Sequence, residues 1–168
     1  MKLTKILEEV ISEVGDASNI DTYKYSRIPT REEFDEELHK VVFTTDSGIN
    51  YAIWIYKIDR TEENIWRMDV EFGVESKDKD FDTKSVVNKG EMYKVMATVV
   101  KAVKEELEIS KKGDKNIVTI RIEPSKNFKN DSRRANLYLA YIKKNMPKGS
   151  TVTAYDDFST IEIDLPRL

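Results

Sequence analysis

Hydrophobic and polar positions along the chain follow two periods, and the change from one period to the other marks the elements. Near the N-terminus, apolar residues recur every three or four positions between lysine, glutamate and serine, which predicts an amphipathic helix that ends at Gly15. Its apolar stripe consists of Leu3, Ile6, Leu7, Val10, Ile11 and Val14. We expect the stripe to pack on the core, and docking on a partner protein is the alternative.

Side chains that alternate between two faces, many of them apolar, predict three strands in the next part of the chain. They cover residues 39–46, 49–59 and 64–76. Turns at 46–48 and 59–64 join them, so we expect an antiparallel meander. The polar stretch 16–37, which includes most of the acidic run REEFDEEL, is interpreted as a loop with room for a short helical turn.

The second half of the chain carries the signals of two helices separated by a strand. Asn88 and Glu91 match a capping box that opens a long helix, whose apolar residues recur at helical spacing. The predicted elements are a helix over 88–108, a strand over 117–124, a helix over 132–147 and one or two terminal strands over 151–165. A break near Asp156 and Asp157 divides the terminal segment. These elements predict one α+β domain over residues 1–168.

Composition then limits the chemistry. The 168 residues include no cysteine, which excludes disulfides and thiolate nucleophiles. His39 is the only histidine, so a multi-histidine metal site is impossible, and no residue pairs with it by spacing. The formal net charge of −3 disfavours nucleic-acid binding. Without a signal peptide or an apolar run of about 20 residues, a soluble protein of a reducing compartment is expected.

The order of helix, three meandering strands, long helix, strand, helix and terminal strands is similar to the GNAT-type N-acetyltransferase fold. In that family the loop before the long helix binds the pyrophosphate of acetyl-CoA through backbone N–H groups. Asn88, Lys89, Gly90 and Glu91 occupy this position here. Leu137 and Tyr138 match a pair in the last helix, whose tyrosine protonates the departing thiolate. The resemblance therefore implies a cofactor site and a general acid in an active member.

Some details favour the same fold without the chemistry. The family's loop has a second glycine where the phosphates approach the backbone, whereas this chain has Gly90 alone. Glu91 would repel an anion, and a carboxylate in the first helical turn is ordinary helix stabilisation. Tyr138, which lies between apolar neighbours on its helix, is also typical of a core tyrosine with its hydroxyl at the rim.

A narrower resemblance covers residues 86–147. The glycine-led helix with KVMATVV, followed by a helix with arginine and a Leu-Tyr pair, resembles small, mostly uncharacterised proteins of tailed bacteriophages. It implies a phage protein, with a place in the virion as one option. Together with the missing second glycine and the lack of a catalytic constellation, it favours a non-catalytic structural or interaction protein in the virion or the host cytoplasm, with a protein partner and without a cofactor or a membrane. The alternative is an N-acetyltransferase that uses acetyl-CoA.

Several other residues have a structural and a functional interpretation. Trp54 and Trp66 lie on neighbouring predicted strands, and we expect them to pack across the sheet as core or as a binding face. Arg133 and Arg134 suit ion pairs with acidic loops, with phosphate binding as the alternative. The terminal aspartates match no calcium loop, so no metal site is expected.

Overall fold

The computed structural model describes residues 21–33, 36–60, 64–75, 89–124, 132–155 and 160–166. The predicted N-terminal helix, Asn88 and the break near Asp156 and Asp157 lie outside these ranges. The strands are β1 (Ser26–Glu33), β2 (Glu36–Thr44), β3 (Asn50–Asp59), β4 (Ile65–Val74), β5 (Asn116–Pro124), β6 (Thr151–Tyr155) and β7 (Thr160–Asp164). The helices are α1 (Lys89–Lys112) and α2 (Ser132–Asn145).

The strands form one mixed sheet in the order β1-β2-β3-β4-β5-β7-β6. Strands β4 and β5 are parallel, and every other neighbouring pair is antiparallel. Because parallel neighbours need a crossover, the chain returns through α1 between them. The α+β class predicted from the sequence is confirmed, and the chain closes with two strands, of which the last lies between β5 and β6.

The predicted meander is confirmed in β2, β3 and β4, whose bounds differ by a few residues from the expected ones. At the first turn the backbone N–H of Thr45 donates to the carbonyl oxygen of Ile49 at 2.9 Å. Gly48 has a φ of 86°, which most side chains rarely adopt, so glycine closes this hairpin without backbone strain.

The loop interpretation of residues 16–37 is wrong for its second half, because Ser26–Glu33 forms the edge strand β1. Its sequence SRIPTREE contains Pro29 and charged residues and does not alternate. The register to β2 shifts between Ile28 and Arg31, around the proline, which lacks a backbone N–H. An edge strand needs only one face packed and one side paired, so it tolerates a sequence that resembles a loop.

One face of the sheet is buried beneath the helices. Its fully buried side chains include Ile53, Ile55, Met68, Val70, Phe72, Ile120, Ile122, Ile161 and Ile163. The apolar stripe predicted for α1 is confirmed where its side chains are described, because Val95, Met96 and Val99 are buried. Tyr23 closes one end of this core, and its backbone N–H donates to Oγ1 of Thr98 on α1 at 2.9 Å.

The two tryptophans do not pack on each other, so that expectation is wrong. Trp54 pairs in register with Glu71, and Trp66 pairs with Asp59, which places the two rings on opposite faces of the sheet. Trp54 lies on the face away from the helices, with Nζ of Lys40 4.5 Å from its ring centroid. The two tryptophans do lie on neighbouring strands, but their side chains project to opposite faces of the sheet.

Candidate functional site

The residues that the sequence assigns to acetyl-CoA lie at the start of α1. The helix begins at Lys89 and includes Gly90 and Glu91, so the predicted helix start is confirmed. Asn88 lies outside the described residues. Tyr138 lies in α2, where the helical backbone alone is described, so its assignment as a general acid stays a prediction.

The pairing of β4 with β5 decides whether an acyl donor could enter between them. An acetyltransferase of the GNAT type needs these strands to splay apart beside the long helix. Here the register runs from Ile65 opposite Asn116 to Phe72 opposite Pro124, with one shift between Trp66 and Arg67. Paired strands lie about 4.8 Å apart. The described parts of the two strands therefore leave no opening between them into which acetyl-CoA could insert.

A different group of chemistry-bearing residues lies under the second half of α1. We call it the charge cluster; it consists of Arg27, Glu37, His39, Lys57, Glu105, Glu106 and Lys115. At its centre, Nζ of Lys57 lies 2.9 Å from Oε2 of Glu106. The two side chains are 1% and 0% exposed, so this is an ion pair inside the core.

Strands and helix place the other members around this pair. The Arg27 guanidinium on β1 contacts Glu106, and its Nε donates to Oε1 of Glu105 at 3.2 Å. On β2, Nδ1 of His39 lies 3.9 Å from Oε1 of Glu106, and Nε2 lies 2.6 Å from Oε1 of Glu37. With Lys57 on β3, the cluster therefore links three strands to α1 through the carboxylate of Glu106.

Lys115 reaches the cluster because of the way in which α1 ends. Asp114 has a φ of 58°, and the N–H of Lys115 donates to the carbonyl oxygen of Ser110 at 2.8 Å. This is the Schellman arrangement, which reverses the chain directly after a helix. It brings the ammonium group of Lys115 onto the carboxylate of Glu37.

The charges of the cluster balance when His39 is neutral. The cluster contains three carboxylates and three cations, so its net charge is then zero. The carboxylates are Glu37, Glu105 and Glu106, and the cations are Arg27, Lys57 and Lys115. Burial and the neighbouring Lys57 lower the pKa of His39 despite its contact with Glu37. Burial also lowers the pKa of Lys57. A proton added to His39 would leave one uncompensated positive charge.

The cluster is closely packed but imperfectly hydrogen-bonded. Among the described residues, both carboxylate oxygens of Glu106 and Nη2 of Arg27 lack a well-directed hydrogen-bond partner, although opposite charges lie beside them. A lysine with a lowered pKa is a possible nucleophile in an open site. Lys57 is 1% exposed, so no substrate can reach it in this conformation.

Sequence reasoning missed this cluster although signals for it were present. Lys57 belongs to the same face of its strand as Ile53 and Ile55, and Glu106 follows Val99 and Val103 on the helical stripe. A charged residue on each of two apolar faces indicates a buried pair. The prediction that no residue pairs with His39 by spacing is wrong. Glu37 lies two residues earlier on the same face of β2, and its carboxylate contacts the imidazole of His39.

An open groove lies between α1 and α2. It has a volume of about 420 Å³, and Ala97, Val100 and Tyr141 contribute to its lining. Lys101 and Lys104 also line it. Thr22, close to the first described residue, contributes to the same lining.

A scan against models of protein families finds no match, and searches of curated proteins and of solved structures find none either. Within the described ranges, no group of three or more histidine, cysteine, aspartate or glutamate side chains is arranged to hold a metal ion. Neither of the two described helices is long and apolar enough to cross a membrane.

Proposed function

We propose that this chain is a non-catalytic structural or interaction protein of a tailed bacteriophage, built on a degenerate GNAT-like fold. The assignment to a phage rests on the resemblance of residues 86–147. The GNAT-like fold is supported by the parallel strands β4 and β5, which are joined through the long helix α1.

The backbone pairing of β4 with β5, which is maintained on both sides of one register shift, carries the non-catalytic part of the proposal. The acetyltransferase alternative needs an opening between these strands beside the start of α1. The register stays paired to Phe72 and Pro124, the last residue of β5. A cofactor arm would have to break backbone hydrogen bonds of the central sheet, each of which contributes about 0.5–1.5 kcal/mol.

Exposed apolar side chains on the sheet edges support a role in protein interaction. Ile28 on β1 is 41% exposed, and Tyr155 on β6 is 47% exposed. Tyrosine is enriched in protein interfaces because it combines apolar area with a polar tip. These two residues occupy the two outer strands, where a partner has direct access.

Calorimetric titration with acetyl-CoA and with CoA tests this proposal. We expect no binding heat up to about 1 mM ligand. Micromolar binding that is lost in the variant Gly90→Val would overturn the proposal. It would make Tyr138→Phe the next variant, with acetyl transfer to amines as the assay.

The interaction role needs its own test, because absence of cofactor binding does not identify a partner. We expect mass spectrometry of purified phage particles, or of complexes captured from infected cells, to find this chain together with a phage protein. A chain that is absent from particles and monomeric without a partner in infected cells would contradict the interaction role.

A further inference from the structure

The two edges of the sheet differ in their protection against strand pairing. Strand β1 carries Arg27, Pro29 and Arg31, and its register is interrupted around the proline. Charges, proline and bulges on an edge prevent another strand from adding to it. Strand β6 has the sequence TVTAY, which contains no charge and no proline, and its register to β7 is regular over all five residues.

We propose that β6 is a homodimer interface, in which it pairs antiparallel with β6 of a second copy of this chain around a twofold axis. No described strand occupies the outer side of β6. The pairing would continue the sheet of one copy into that of the other. This inference stands on the sheet edges alone and does not depend on the phage assignment or on the absence of catalysis.

Symmetry selects the register of this pairing. In a continuous sheet, paired residues project to the same face, so a twofold axis perpendicular to the sheet must pair a central residue with itself. The register with the largest overlap over Thr151–Tyr155 is centred on Thr153. It places Val152 opposite Ala154 and Thr151 opposite Tyr155.

The side chains brought together in this register are compatible. Thr153 meets Thr153, and Thr151 meets the exposed ring of Tyr155; threonine pairs and aromatic pairs with β-branched residues are favourable across strands. No like charges face each other along the strand. The half-exposed Tyr155 supplies one apolar contact at each end of the pairing. A second copy can therefore pair with this edge without burying a charged side chain of β6.

The size of the interface sets the expected strength. Five residues per strand cover much less than the roughly 1,200–2,000 Å² of a stable, standard-size interface. We therefore expect a dimer that forms reversibly at micromolar or higher protein concentration. Sedimentation equilibrium of the full chain should show mass increasing with concentration, and a monomer at all concentrations up to about 1 mM would overturn the proposal.

Single-cysteine cross-linking tests the register, because the chain contains no cysteine of its own. In the variant Thr153→Cys the two Cα atoms would lie about 4.5–5.5 Å apart, within the range of a disulfide. We expect mild oxidation to convert this variant to a covalent dimer. Circular dichroism and thermal unfolding check that each variant keeps the fold.

Matched variants separate specific pairing from random collision. Thr151→Cys alone should cross-link slowly, because its two copies lie about 14 Å apart in this register. A mixture of Thr151→Cys and Tyr155→Cys should cross-link rapidly between the two variants. Ile28→Cys on β1 is the control for an exposed edge residue. Cross-linking at Thr153→Cys that is no faster than at Ile28→Cys would overturn the proposal.

Discussion

Lys57 and Glu106 show how one buried ion pair constrains its surroundings. Removal of a charge from water costs several kcal/mol per ion, and mutual attraction offsets this only when the hydrogen bonds are well made. Both oxygens of Glu106 lack directed hydrogen bonds among the described residues. We infer that the pair specifies how β3 and α1 align rather than adding net stability, since any other alignment would leave a buried charge alone.

Removal of one partner should therefore be far more damaging than removal of both. We expect Glu106→Gln to lower the free energy of unfolding by about 3–5 kcal/mol, because Lys57 then stays buried without its carboxylate. Urea unfolding followed by circular dichroism measures this loss.

The double variant Lys57→Met, Glu106→Leu removes both charges at similar volume, and it should be more stable than Glu106→Gln. Glu108→Gln, on the exposed side of the same helix, is the control and should change stability by less than about 0.5 kcal/mol. A loss of less than about 1 kcal/mol in Glu106→Gln would show that the pair does not couple the two elements.

At the scale of elements, the hairpin between β2 and β3 depends on the backbone of one residue. Gly48 has a φ of 86°, and an added Cβ would meet no atom within 4 Å. Gly48→Ala should therefore destabilise by about 1–2 kcal/mol through backbone strain alone. Gly48→Asn should cost less, because asparagine tolerates this conformation, as Asn64 does with a φ of 55°. Thermal unfolding measures both.

A second glycine provides the matched control for this hairpin prediction. Gly113, at the end of α1, lies outside the left-handed region, and its added Cβ would make an ordinary contact at 3.5 Å. Gly113→Ala should therefore be near neutral. If Gly48→Ala is as stable as Gly113→Ala, the turn does not need glycine.

Most elements could be predicted because their hydrophobic patterns are uninterrupted. Strand β3 is rich in apolar residues, β4 alternates apolar and polar residues through its middle, and the stripe of α1 repeats through several turns. Strand β1 was missed since Pro29 and adjacent charges interrupt the pattern that reveals a strand. The position of β7 between β5 and β6 could not be predicted, because pairing with Ile120 and Ile122 is decided by tertiary packing.

The charge cluster could be predicted only in part, because its contacts also depend on tertiary packing. The sequence shows Lys57 on an apolar strand face and Glu106 on an apolar helix stripe. It does not show that these two residues meet, since they are far apart along the chain and in different elements. The register of β2 against β3 and the packing of α1 bring His39 and Arg27 to the same point.

At the scale of the whole molecule, the charge cluster makes stability depend on pH. Its members lie on β1, β2, β3, α1 and the segment before β5, so a change of charge there affects three neighbouring strands and the long helix. For Glu37, burial raises the pKa, but hydrogen bonds from Lys115 and His39 outweigh it and hold the pKa below 4.5. Glu71, outside the cluster, has a raised pKa because of burial and the nearby Glu123.

The sign of the effect follows from His39. Its pKa in the folded chain is below the ordinary 6.5, chiefly because of burial. As pH falls below about 6.5, the unfolded chain takes up a proton that the folded chain resists. The stability linked to His39 is therefore present above 6.5 and is lost as pH falls through the lowered pKa. Because the pKa of Glu37 is lowered, its contribution to stability is also lost as pH falls below 4.5. Because the pKa of Glu71 is raised, its contribution to stability is instead lost as pH rises above 4.5.

We therefore expect the free energy of unfolding to decrease from pH 7 to 5 with a contribution from His39 of at most about 1.4 kcal/mol per pH unit. Urea unfolding at several pH values should show a flatter dependence in His39→Gln, while Glu71→Gln should keep the His39 contribution. Because the chain has one histidine, its imidazole signals in NMR report this pKa without overlap. An imidazole pKa of 6.5 or above, or an unchanged pH dependence in His39→Gln, would show that the balanced cluster does not exclude the proton.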